Sequence, residues 1–111
     1  MPGVPELSPT EFAARWPGYG TGDDVVLLDV REDPELAVAS VAAALHIPMR
    51  EVPQRLAELD VGKPLVVMCH SGGRSHRVAE FLLSNGFEAV FNLKGGIDAW
   101  STQLDSQVPR Y

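Results

Sequence analysis

The chain has 111 residues, 45% hydrophobic and 22% charged, which suffices for one domain with one modest core. No apolar run approaches the roughly 18 residues that span a bilayer, and a net charge of -6 without a basic stripe argues against nucleic acid as a partner. Cys69 is the single cysteine, so an intramolecular disulfide and a cysteine-only metal centre are excluded, and His46, His70 and His76 are too scattered to suggest a metal site.

Residues 1–5 are expected to form a flexible lead-in without a secretory signal, residues 6–104 the domain, and residues 105–111 a C-terminal tail. No membrane attachment and a cytoplasmic location are expected. Glu6-Leu7 reads as a short extended piece. Ser8-Pro9-Thr10-Glu11 is a capping box with proline at the first helical position, so a helix begins there and stops at Pro17-Gly18. Tyr19 to Asp24 reads as a glycine-rich loop.

Val25-Val26-Leu27-Leu28 is a continuous branched apolar run, the pattern of a strand buried on both faces of a parallel sheet. Pro34 to about Leu45 starts as an alanine-rich helix and passes into a short strand at Leu45-His46-Ile47. Glu51 to Leu59 carries Val52, Leu56 and Leu59 on one side, an amphipathic helix with Pro53 in its first turn. Leu65-Val66-Val67-Met68 is a second buried strand, ending at Cys69.

A helix is expected from Ser75 to Asn85, closed by Gly86, with Val78, Phe81 and Leu82 inward. Ala89 to Leu93 gives another strand, and Gly95-Gly96 leads into a short helix bearing Trp100. Phe12, Trp16, Phe81, Phe87, Phe91 and Trp100 read as packing residues. Strands alternating with helices predict an α/β fold, a mainly parallel sheet covered by helices on both faces.

In such sheets ligands bind at the carboxyl ends of strands, where loops enter helix N-termini. Cys69 stands there, followed by His70-Ser71-Gly72-Gly73-Arg74-Ser75. Gly72 and Gly73 allow successive N–H groups to turn toward one negative charge. A thiol of ordinary pKa, about 8.5, is only a few per cent thiolate at neutral pH. A helix N-terminus contributes about 0.3–1 kcal/mol to an anion, so loop N–H donors and Arg74 must supply the rest. A lone cysteine is more often a buried small hydrophobe; the order strand, cysteine, glycine loop, arginine, helix points instead to a nucleophile.

Cys69-His70-Ser71-Gly72-Gly73-Arg74-Ser75 resembles the active-site loop of rhodanese domains. Leu28-Asp29-Val30-Arg31-Glu32 is similar to the family's Asp-x-Arg strand end. Asn85-Gly86-Phe87, Asn92 to Ile97 and Ala99-Trp100 resemble its C-terminal signature. The resemblance implies a rhodanese-like fold with a five-stranded sheet, no cofactor, and a sulfurtransferase in which catalytic Cys69 cycles between thiolate and persulfide. Its donor would be thiosulfate or a persulfide, and its acceptor cyanide, a thiol or a protein. His70, Ser71, Gly72, Gly73, Arg74 and Ser75 would bind substrate, Arg74 by holding an anionic donor or supporting the loop charge. Asp29 and Arg31 would brace the loop, although a structural ion pair explains them equally well.

The sequence departs from the family pattern at two places. Ala39 to Ala44 replaces the usual Gly-His-Ile-Pro-Gly-Ala, which predicts a more helical backbone there. His70 stands where many relatives have arginine, which weakens the local positive field and predicts poor affinity for free thiosulfate. His46 reads as a strand-edge residue and His76 as an exposed bystander. Two alternatives remain open. One is a cysteine phosphatase or arsenate reductase, although Arg74 follows the cysteine by five positions rather than six. The other is a thiol redox-sensing or interaction module, although no resolving cysteine accompanies Cys69.

Overall fold

The computed structural model describes residues 3–19 and 24–111. Met1 and Pro2 of the expected lead-in and residues 20–23 of the expected glycine-rich loop lie outside the described residues. Five short strands form one sheet: β1 (Glu6–Leu7), β2 (Val26–Asp29), β3 (Leu45–His46), β4 (Leu65–Met68) and β5 (Val90–Leu93). Their order is β1-β5-β4-β2-β3, and every pairing is parallel. The helices are α1 (Pro9–Arg15), α2 (Asp33–Val38), α3 (Gly73–Ser84) and α4 (Gly96–Gln103), with a 3-10 helix over Met49–Glu58.

Strand alternation divides the core into two layers. Leu28, Leu65 and Val67 face Val52 of the 3-10 helix and Val78, Ala79 and Leu82 of α3. Leu27, Val66 and Met68 face the other way, onto Phe12 of α1 and Ile97 and Trp100 of α4. Both faces of the central strands are therefore dry, which is why they read as unbroken apolar runs. Cys69 continues the alternation of β4 and belongs to the layer under α3. Among the described residues no helix is long and apolar enough to cross a membrane.

Local chemistry explains most boundaries. Ser8 caps α1 as expected: its Oγ accepts from the Glu11 N–H at 3.1 Å and the Glu11 carboxylate accepts from the Ser8 N–H at 2.8 Å. Three expectations need correction. Helix α2 stops at Val38, and Ala39 is extended (φ -153°, ψ 137°), so the stretch from Ala39 to Ala44 is not more helical. The Ala39 carbonyl is instead drawn to the buried Arg31 guanidinium at 2.9 Å, a tertiary bond that overrides alanine's helix preference. The segment expected as an amphipathic helix at Glu51–Leu59 is a 3-10 helix kinked at Arg55. Helix α3 begins at Gly73, two residues ahead of the expected start, which places Arg74 and Ser75 in its first turn.

Candidate active site

The sulfur of Cys69 lies at the C-terminal end of β4, directly under the start of α3. Gly72 precedes that helix with φ +118°, in the left-handed region that favours glycine, and no side chain caps it. The cysteine sulfur takes the place of a capping oxygen. The Gly72 N–H donates to Sγ at 3.1 Å, and the Ser75 hydroxyl lies 3.3 Å from it. Gly73 does not share the conformational requirement, because an added Cβ there would meet nothing. Of the two loop glycines, Gly72 alone needs to be one.

The N–H groups face inward because the carbonyls of the same loop are held outside. The Cys69 carbonyl accepts from the Ile97 N–H at 2.9 Å and the His70 carbonyl from the Asp98 N–H at 3.1 Å, so two free donors of the α4 N-terminus grip the loop. Asn92, on the adjacent β5, donates from Nδ2 to the Gly72 carbonyl at 3.1 Å and accepts at Oδ1 from Ser75 at 2.5 Å. The Ser75 hydroxyl has one proton for two acceptors, Asn92 and the sulfur. It can turn toward Sγ when negative charge develops there.

These contacts decide the state of the thiol. Cys69 is 1% exposed, and burial pushes its pKa up. The Ser75 hydroxyl and the N–H groups of Ser75, Gly72 and Ser71 outweigh that effect and hold it below the ordinary value. The sulfur is thus a buried anion acceptor surrounded by donors, the arrangement that a nucleophilic thiolate requires.

Among the charged residues, Asp29 and Arg31 form the ion pair that the sequence allowed, whereas Arg74 has a partner that it did not suggest. Arg74 is bound bidentately by Glu35 of α2, Nη1 to Oε2 and Nη2 to Oε1, both at 2.7 Å. Glu35 also accepts from the Glu32 N–H at 3.0 Å and from the Tyr111 hydroxyl at 3.0 Å. Asp29 and Arg31 form a buried ion pair, Nη2 to Oδ2 at 2.7 Å, with 1% and 0% of their side chains exposed. Arg31 also donates to the Tyr111 hydroxyl at 2.9 Å. Tyr111 in turn stacks on His70, ring centres 4.1 Å apart and 14° from parallel. Residues 105–111 therefore return to the site, with Val108 buried and Arg110 bound to Asp98.

The structure brings His70, Ser71, Gly72, Arg74 and Ser75 around or beside Cys69, with Ser71 contributing its backbone N–H. Asp29 and Arg31 reach the loop indirectly, through Tyr111. His46 lies on the edge strand, its Nε2 2.6 Å from the Arg31 carbonyl oxygen, and His76 is half-buried beside Glu80. Asn92, Glu35 and Tyr111 are site residues that sequence reasoning did not place. The Glu32-x-x-Glu35 capping box was one available signal for Glu35.

The Arg74 guanidinium holds the Glu35 carboxyl down at about 2 against the opposing effect of burial, with the Glu32 N–H and Tyr111 hydroxyl assisting. A depressed carboxyl contributes stability that is fully present above its unfolded value of about 4.3 and lost as pH falls toward the folded value. Wild type should therefore be more stable than Glu35→Gln at neutral pH, and the gap should close as pH falls from about 5 to about 2. Urea unfolding of both proteins across that range would show it. A gap independent of pH would mean that the carboxylate charge contributes nothing.

The family model for the rhodanese-like domain matches residues 18–103. A sulfurtransferase of Allochromatium vinosum is 38% identical over 79 residues, covering 71% of this chain and 74% of its own. The putative sulfurtransferase YtwF of Bacillus subtilis is 41% identical over 78 residues, covering 70% and 75%. Among solved structures, a rhodanese-like domain protein from Staphylococcus aureus superposes with a TM-score of 0.79 at 27% identity, covering 97% of this chain and 99% of that one.

Proposed function

Because the chain belongs to the rhodanese-like domain family, we propose that it is a sulfurtransferase that carries sulfane sulfur on Cys69. The observation that carries this reading is the cradle of the sulfur: a buried thiol with a lowered pKa, facing the Gly72 N–H and the Ser75 hydroxyl. Sulfurtransferases among the relatives support the same chemistry.

The reaction has two steps. The Cys69 thiolate attacks the outer sulfur of the donor, whose sulfur–sulfur bond breaks. With thiosulfate the bonding pair leaves on sulfite; with an organic persulfide it leaves on a thiolate. The Cys69 persulfide then rests against the loop N–H groups, whose orientation needs no adjustment as charge moves between sulfurs. A nucleophilic acceptor, such as cyanide, a thiol or a protein cysteine, attacks the outer sulfur and restores the Cys69 thiolate.

A phosphatase or arsenate reductase needs a free guanidinium at the mouth of its loop for a tetrahedral oxyanion. Arg74 is committed to Glu35, which favours sulfur transfer over that alternative.

Incubation with thiosulfate or with glutathione persulfide should add the mass of one sulfur to the intact protein, and cyanide should then remove it as thiocyanate. Cys69→Ser should show neither the gain nor the turnover. If wild type gains no sulfur from either donor, the proposal fails.

A further inference from the structure

Two guanidiniums stand near the Cys69 loop, Arg31 reaching it only through Tyr111, and each is paired with a carboxylate. Arg31 is held by Asp29 through Nε and Nη2, by the Ala39 carbonyl and by the Tyr111 hydroxyl. Arg74 comes within electrostatic range of the Cys69 sulfur, yet both of its terminal nitrogens are engaged by Glu35. Glu35 is held in turn by the Glu32 N–H and the Tyr111 hydroxyl, so its carboxylate cannot swing away without breaking further bonds. The neighbouring arginines are likewise taken by carboxylates: Arg50 pairs with Glu32 at the start of α2, and Arg110 with Asp98. Lys94, next to the loop in the fold, is within electrostatic range of Glu11 at the start of α1.

We infer that Glu35 is a specificity-determining residue, which withholds Arg74 from small dianionic sulfur donors and leaves the site to organic persulfides. This rests on the sulfurtransferase reading. The physical contrast between the donors is where their charge lies. Thiosulfate carries its two negative charges on the transferred sulfur and on oxygens two bonds from it, so both must enter the loop, where the fixed carboxylate of Glu35 stands beside the arginine that would receive them. An organic persulfide keeps its other charges several bonds away, outside the loop. The transfer needs no external cation: Cys69–S⁻ attacks the outer sulfur of R–S–SH, the sulfur–sulfur bond of the donor breaks with its electron pair leaving on RS⁻, and Cys69–S–SH forms. No net oxidation or reduction occurs.

The test compares kcat/KM for sulfur loading from thiosulfate and from glutathione persulfide, read by intact mass, in wild type, Glu35→Gln and Glu35→Gln/Arg74→Gln. Wild type is expected to favour the persulfide by at least about tenfold, because a charge-assisted bidentate contact is denied to thiosulfate. Glu35→Gln should raise kcat/KM for thiosulfate about tenfold, mainly through KM, and the gain should vanish in the double variant. Equal or better use of thiosulfate by wild type would overturn the inference while leaving the sulfurtransferase reading intact, and needs no variant to fold. So would a thiosulfate KM in Glu35→Gln that matches wild type. Failure of both donors to load Cys69 would instead remove the sulfurtransferase reading, and this inference with it.

Discussion

Gly96→Ala should destabilise the domain by about 3 kcal/mol or more and disarm Cys69, although it touches no substrate. Gly96 has φ +60°, and a Cβ there would lie 2.4 Å from the His70 carbonyl oxygen and 2.5 Å from that of Cys69. Both contacts are with backbone, so no side chain can move aside. Left-handed backbone costs an L-residue about 1–2 kcal/mol. Pushing α4 off the loop also loses the Ile97 and Asp98 N–H bonds to those two carbonyls, each about 1 kcal/mol net.

The chemical consequence follows from the same bonds. With their carbonyls released, the loop residues are no longer obliged to keep their N–H groups on the sulfur, and the Cys69 pKa should rise toward its ordinary value. Alkylation of Cys69 by iodoacetamide as a function of pH reads the thiol directly, and urea unfolding reads the stability. A variant with wild-type stability and an unchanged alkylation profile would show that α4 does not anchor the loop.

Asp29→Ala should cost about 3–5 kcal/mol, a large share of the roughly 5–15 kcal/mol that holds a domain of this size together. Arg31 is fully buried, and Asp29 accepts from the Arg31 Nε at 3.0 Å, the Arg31 Nη2 at 2.7 Å and the Arg31 backbone N–H at 3.1 Å. Removing the carboxylate leaves a guanidinium in the interior with only neutral partners, the Ala39 carbonyl and the Tyr111 hydroxyl among them. Replacing both partners by apolar residues, as in Asp29→Leu/Arg31→Met, removes the buried charge as well and should recover much of the loss. Denaturant unfolding of the single and double variants separates the two situations. A single variant within about 1 kcal/mol of wild type would mean that water reaches Arg31.

The alternation of apolar runs with helical segments was enough to predict the parallel sheet and its layers, because Leu27, Leu28 and Leu65 to Met68 are buried on both faces, with Val26 partly so, and the runs carry no polar interruption. Helix starts were legible where a side chain supplies the cap, as at Ser8, and misplaced at α3, where the cysteine sulfur does so. The 3-10 geometry of Met49–Glu58 was hidden because proline and apolar spacing fit either helix.

The local sequence around Cys69 determined the position of the thiol and the shape of its loop, since strand end, left-handed Gly72 and helix start are consecutive and need only short-range sterics and hydrogen bonding. Tertiary structure alone decided what surrounds them. The pairing of Arg74 with Glu35 spans 39 positions and that of Ser75 with Asn92 spans 17. The bond from Arg31 to Tyr111 spans 80. Such partners depend on the strand order β5-β4-β2, which sets Asn92 on one side of Cys69 and Asp29 on the other. No residue type, charge or period along the chain encodes that adjacency; it exists only once the sheet has closed its hydrogen bonds and α2, α4 and the C-terminal segment have packed against the loop.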